Sequence, residues 1–254
     1  MTQLRNLFLI LMLLCNSMMY AQSFEIDGIK YNILDTEAKI VEVTSRSSKY
    51  TGDIIIPTTI EHNGDNYNVT AIGSSAFVSC TGLTSIGLPT GLTTIGRSAF
   101  AGCTGLTSIT LPTGLTTIGD NAFYGCTGLT SIALPTGLTT IGNYAFDGCT
   151  GLTSIALPTG LTTIGDYAFK NCTDLTSIEL PNSLTSIGYS PFENCTGHLI
   201  VNCNIPDGTP SYSNSRCLYG SKFTQITFGD KVKRIGNYAF YNSELPTIVF
   251  SENI

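Results

Sequence analysis

Short runs of alternating apolar and polar residues recur along this chain at a fixed spacing. Cys103 to Gly125 reads CTGLTSITLPTGLTTIGDNAFYG and Cys126 to Gly148 reads CTGLTSIALPTGLTTIGNYAFDG, identical at 19 of 23 positions. Phenylalanine marks the period, with Phe77, Phe100, Phe123, Phe146, Phe169 and Phe192 each 23 apart. The spacing then becomes 26, to Leu218, and 22, to Phe240, which gives eight units of which the last two are irregular. A fixed period in the twenties is the mark of a solenoid.

Inside one unit, Leu106-x-x-Ile109-x-Leu111 predicts a strand with Ile109 and Leu111 inward and Ser108 and Thr110 outward, because strand side chains alternate. Pro112 and Gly114 turn the chain, Leu115 and Ile118 anchor a second short extended stretch, and Gly119 ends it. Asp120 then reads as the N-cap of a single helical turn carrying Ala122 and Phe123. One such unit cannot bury its own apolar face. Stacked units can, because neighbouring strands hydrogen-bond about 4.8 Å apart over a shared core.

The two ends depart from the period. Residues 1–21 read as an export signal: Arg5 precedes the apolar run Leu7–Leu14, and Ala21 offers a cleavage site. Cys15 raises the alternative of a lipoprotein anchor, against which Leu14 is larger than the residue such signals place there. After residue 21 no run is apolar and long enough to span a membrane, so the mature chain is expected outside the cytoplasm. Residues 22–70 carry short strand patterns without the repeat and are expected to form a β cap over the first coil. The regular repeats follow over 71–197. Residues 198–254 hold irregular repeats and a C-terminal cap, interrupted by the turn-rich stretch 204–216.

Composition narrows the function. The chain has 254 residues, a formal charge of −6 and only 12% charged residues, with a pI near 4.8. That balance excludes a nucleic-acid binder, which needs a basic face to neutralise phosphate. The scarcity of charge follows from stacking. Equivalent residues of adjacent coils sit about 5 Å apart, so a column of like charges repels itself. The column Arg97, Asp120, Asn143, Asp166, Tyr189 avoids such a run.

Cys80, Cys103, Cys126, Cys149, Cys172 and Cys195 fill one column, which Ser221 and Ser243 continue. Stacked residues project parallel Cβ atoms near 5 Å apart, outside the roughly 3.5–4.5 Å of a disulfide. A row does not converge on a metal either. These six are expected to be buried free thiols. Cys203 and Cys217 lie off the column, and either a bridge between them or two buried thiols fits the sequence.

The units resemble the BspA-like leucine-rich repeats of bacterial surface proteins, with their LTSIxLPxxLTxIGxxAFxxC signature, over about residues 71–250. The N-terminal pattern FEIDGIKYNI … YTGDIIIPTTI … YNVTAIGSSAF is similar to the cap of exported members. The resemblance implies a β-rich solenoid, a right-handed leucine-rich-repeat coil of eight units of about 23 residues with short helical turns and an N-terminal β cap. It also implies an extracellular, non-catalytic protein whose relatives bind host matrix or plasma proteins and other bacteria. It supplies no fixed binding residues.

Catalytic signals are missing: His62 and His198 are far apart, and there is no nucleophile elbow, phosphate loop or His-x-x-x-His pair. The LPTG strings read as turns, not wall-sorting signals. No cofactor or metal is expected. The expected function is adhesin-like binding of an extracellular protein, with a glycan-binding module or a structural spacer of the cell envelope as alternatives. Of the two faces, the strand face offers small residues, whereas the turn edge offers Arg97, Asp120, Tyr124, Tyr144, Asp147, Tyr167, Lys170 and Tyr189. Aromatic residues among charges match interface composition, so that edge is the first candidate. The region beside 204–216, with Arg216, Lys222, Lys231, Lys233, Arg234 and the tyrosines Tyr212, Tyr219, Tyr238 and Tyr241, is the second. The sequence leaves the oligomeric state open.

Overall fold

The computed structural model describes residues 23–206, 217–237, 239–241, 243–244 and 247–250. The export-signal segment with Cys15, the loop residues 207–216 with Tyr212 and Arg216, and Tyr238 lie outside the described residues. Six strands precede the regular coils: β1 (Ser23–Ile26), β2 (Ile29–Asp35), β3 (Ile40–Thr44), β4 (Gly52–Ile55), β5 (Thr59–His62) and β6 (Asp65–Ile72). Each regular coil then supplies two strands. These are β7 (Leu83–Gly87) with β8 (Thr94–Ile95), β9 (Ser108–Thr110) with β10 (Thr117–Ile118), and β11 (Ser131–Ala133) with β12 (Thr140–Ile141). The series continues with β13 (Ser154–Ala156) and β14 (Thr163–Ile164), then β15 (Ser177–Leu180) and β16 (Ser186–Ile187). The strands β17 (His198–Val201), β18 (Gln225–Phe228) and β19 (Thr247–Phe250) complete the described chain.

One strand of each coil joins a ten-stranded sheet ordered β1-β2-β3-β6-β8-β10-β12-β14-β16, with β5 folded onto β6 as a hairpin. The other joins a seven-stranded sheet running from β9 to β19, beside which β7 and β4 pair. Coils pair in parallel and in register, Thr117 opposite Thr140 and Ser131 opposite Ser154. A slip of one residue would turn Ile132 outward and Ser131 inward. Ile132 is buried and Ser131 and Ala133 are exposed, as the alternation requires. The molecule is therefore the stacked β-solenoid that the period implies.

A phenylalanine spine runs through the core. Rings of Phe77, Phe100, Phe123, Phe146, Phe169 and Phe192 stack at 5.2–5.8 Å with interplanar angles of 3–8°. Tyr50 of the cap closes one end, 4.7 Å from Phe77. The six phenylalanines and Leu218 are fully buried, whereas Phe240, the eighth position, is only partly buried.

The turn after Gly119 differs from expectation, for no helix occurs among the described residues. Ser98, Asn121, Tyr144 and Tyr167 hold φ of 55–56°, which a right-handed helix does not accept. Alternate amides instead reach the next coil: Asn121 N donates to Asn143 O, Phe123 N to Ala145 O and Gly125 N to Asp147 O, at 2.7–2.8 Å. These residues thus form a third, ladder-like seam between coils. Close approach is enforced beside it, since a Cβ on Gly165 would lie 2.6 Å from the backbone nitrogen of Asn143.

Polar residues serve the stack in the same way. Hydroxyls of Thr130, Thr153 and Thr176 donate to the carbonyl of the equivalent threonine one coil back, at 3.0–3.3 Å. The cysteine column is free and buried, and so are Cys203 and Cys217, which form no bridge. Cys103, Cys126, Cys149, Cys172 and Cys195 each donate Sγ–H to the phenylalanine carbonyl of the preceding coil, at 2.9–3.3 Å. Ser243 makes the corresponding bond to Leu218.

Candidate binding edge

The strand face is as plain as its sequence: Ser108, Thr110, Ser131, Ala133, Ser154 and Ala156 are exposed and small. The turn edge holds more chemistry, and the structure divides its residues into three sets.

The first set is committed to the fold. Asp120 does not cap its own turn. Its Oδ1 accepts the backbone N–H of Asn143 at 2.7 Å, Asn143 Oδ1 accepts that of Asp166, and Asp166 Oδ1 accepts that of Tyr189, each at 2.7 Å. Each side chain caps the seam amide of the next coil, an action at 23-residue range that resembles an N-cap. Asn143→Ala is expected to lower stability by about 1 kcal/mol, the usual loss of a capping acceptor. A urea titration reads this, and an unchanged midpoint would remove the ladder from the account. Asp147 is also internal: it is 7% exposed and accepts Asn171 Nδ2 at 3.0 Å. Burial pushes its carboxyl above the ordinary value, against the opposing effects of Asn171 and Lys170.

The second set is a ladder of tyrosines. Tyr144 stacks on Tyr167 at 5.0 Å, Tyr167 meets Tyr189 edge to face at 5.2 Å, Tyr189 stacks on Tyr219 at 5.9 Å, and Tyr219 on Tyr241 at 6.3 Å. The first four rings are half-buried, and Tyr241 is 50% exposed. Lys170 Nζ lies 4.9 Å over the Tyr167 ring and 3.1 Å from Glu193. Burial, then the neighbouring Tyr189 and Tyr144, push the Tyr167 phenol up to about 12, so it stays protonated. Beside Tyr219 lies a hollow of about 420 Å³ lined by Glu193, Lys222, Ser243 and Glu244.

The third set stands apart. Tyr124 is 47% exposed, in the column that Asp147 continues and that Tyr219 and Tyr241 occupy further along, and among the described residues no ring stacks on it. Arg97 is exposed on an earlier coil. In the sequence Tyr219 and Tyr241 lie beside the 204–216 loop, and in the structure they join the edge. The connection is hidden because successive rungs lie 22, 30 and 22 residues apart after Tyr167, so no single column contains them.

His62 ends β5 at a hairpin and stacks on Phe24 at 3.7 Å. His198 Nε2 lies 2.9 Å from Thr227 Oγ1. Among the described residues no group of three His, Cys, Asp or Glu is placed to hold a metal, and no helix is long and apolar enough to cross a membrane.

Coils of about 23 residues, each with a Leu-x-x-Ile strand, stacked in register around one spine, define a leucine-rich-repeat solenoid. The family model described as the BspA type leucine rich repeat region matches in six copies, over residues 70–199 and 139–254, and the chain belongs to that family. Among solved structures it is similar to the T. pallidum leucine-rich-repeat protein TpLRR. Identity there is 26% and the TM-score 0.57, over 68% of this chain and 89% of that one. The pneumococcal vaccine antigen PcpA shares the fold at 18% identity and a TM-score of 0.51, over 92% of this chain and 71% of that one. The curated proteins give no match.

Proposed function

We propose that this chain is an exported, non-catalytic binding protein that engages an extracellular protein through the tyrosine ladder. The observation that carries the reading is the alignment of five partly exposed rings from successive coils along one edge. Tyrosine offers large apolar contact at low entropic cost together with a polar tip, and it is enriched among residues that dominate binding energy. The rings mostly cover one another's faces, so a partner meets ring edges and hydroxyls. That arrangement suits a protein surface better than a sugar ring, which stacks on an open aromatic face. Family membership supports the reading, since repeat solenoids present extended surfaces for interaction. The export-signal pattern of residues 1–21 supports an extracellular partner.

The test is binding to immobilised plasma and extracellular-matrix proteins and, in parallel, to a glycan array. Tyr167→Ala, Tyr189→Ala and Tyr219→Ala combined are expected to weaken protein binding at least tenfold, about 1.4 kcal/mol or more. Tyr124→Ala is expected to leave it unchanged. Equal binding by the triple variant would move the site elsewhere. Glycan binding without protein binding would favour the module reading, and inertness of the wild type on both arrays would favour a spacer.

A further inference from the structure

At the N-terminal end the two sheets stop at different levels. Past β6 the ten-stranded sheet continues through β3, β2 and β1, whereas on the other side β4 is the outermost strand among the described residues. The coil that begins with β3 passes the spine at Tyr50, against Phe77, and supplies β4 on the other side, whereas β2 and β1 beyond it have no counterpart beside β4 among the described residues. β4 bonds to β7 through one edge only. Gly52 and Ile56 donate their N–H groups to Gly82 and Gly87 at 2.7 and 2.9 Å. By alternation the amides of Asp53 and Ile55 face the open edge.

Beyond that edge lies a cleft of about 450 Å³, walled by the β1–β2 hairpin and β5. Its floor is apolar and buried, formed by Ile29, Tyr31 and Ile60, while Ile55 on its rim is 80% exposed. Three exposed carboxylates, Asp27, Asp53 and Glu61, line the same cleft. The cap as a whole, residues 23–70, has eight acids against four bases. Hydroxyls of Thr84 and Ser85 donate to Asp53 at 2.7 Å and hold its carboxyl below the ordinary value, so it remains ionised.

An open edge, an apolar floor and an acidic rim occur together here. We infer that β4 accepts an extended segment of another protein, whose backbone adds a strand to the edge. Its alternate apolar side chains fill the cleft, and flanking lysines or arginines meet Asp27, Asp53 and Glu61. Strand addition of this kind takes affinity from main-chain hydrogen bonds and selectivity from the pockets beside them. The site lies at the opposite end of the solenoid from the last rung of the tyrosine ladder and does not depend on it.

The test is fluorescence anisotropy on the purified full chain with two labelled peptides of alternating valine and threonine, one flanked by lysines and one by glutamates. The lysine-flanked peptide is expected to bind at least tenfold more tightly, with affinity falling as salt rises. Ile55→Pro removes an edge amide without touching a β4–β7 bond and is expected to abolish binding. Ile55→Lys, a surface change that keeps the backbone, is expected to weaken it at least tenfold. The tyrosine triple variant is expected to bind as wild type. Equal affinity for both peptides, or full affinity in Ile55→Lys, would overturn the inference. Self-association of the wild type that Ile55→Lys abolishes and the lysine-flanked peptide does not displace would also overturn it, by assigning the cleft to a second copy.

Discussion

Phe146→Ala is expected to cost about 3–5 kcal/mol, close to half the stability of an ordinary domain. Phe146 is fully buried, with rings 5.3 Å away on both sides, at 4° to Phe123 and 3° to Phe169. The neighbours cannot collapse into the space, because in-register strands fix the coil spacing, so the cavity persists and its lining loses contacts outright. Interruption at mid-stack also weakens the interface between two halves that stabilise each other mainly through nearest neighbours. Phe146→Leu is expected to cost far less, about 1–1.5 kcal/mol, since volume is nearly kept and Leu218 already fills this position, fully buried. Urea unfolding followed by circular dichroism separates the two. A loss below 1 kcal/mol for the alanine variant would mean that the spine is not the seat of stability.

The spine was legible because every unit spells it. A period of 23, one phenylalanine per period and alternation about each Leu-x-x-Ile strand are local facts repeated until chance is excluded. The register followed as well, since only one register buries Ile109, Ile132 and Ile155 together. The turn was not legible. Gly-Asp-Asn-Ala-Phe reads locally as a capped helical turn, and the bonds that decide otherwise run to Asn143 and Ala145, a full coil away. The same nonlocality hides from the sequence what Asp120, still exposed, and Asp147 contribute to the stack. One caps the next coil and the other is buried against Asn171. The tyrosine ladder hid for a related reason. Tyr189 stands one position ahead of the Tyr167 column, yet its ring still reaches Tyr167. Columns counted at strict period capture backbone equivalence, whereas these side chains bridge a shift of one position at Tyr189 and of four at Tyr219. The edge of β4 that no strand covers among the described residues has no sequence signal either, because an open edge is defined by what does not pair with it.

A comparably large effect is expected in alkali. Burial pushes the thiols of Cys149 and Cys217 up to about 12 and that of Cys203 to about 11, against an ordinary value of 9.0, and it raises Cys103 and Cys126 as well. These groups are neutral when protonated, so a raised native pKa means that the fold holds its protons where the unfolded chain releases them. The associated stability is complete below pH 9 and is lost as pH climbs from 9 toward the native values. Each thiol then costs about 1.4 kcal/mol per pH unit. Five together reach the order of 7 kcal/mol near pH 10, enough to unfold a typical domain. Urea midpoints at pH 8, 9 and 10 are therefore expected to fall steeply. Cys126→Ser and Cys149→Ser are expected to flatten the fall by one thiol's share each. Serine does not titrate in this range, and Ser243 shows that it fits the slot, donating to Leu218 as the cysteines donate to phenylalanine carbonyls. The thiols are expected to resist a thiol reagent until the chain unfolds. Midpoints that stay level from pH 8 to 10, or thiols that react in the native protein, would contradict a closed column and with it the tight stacking of coils that buries it.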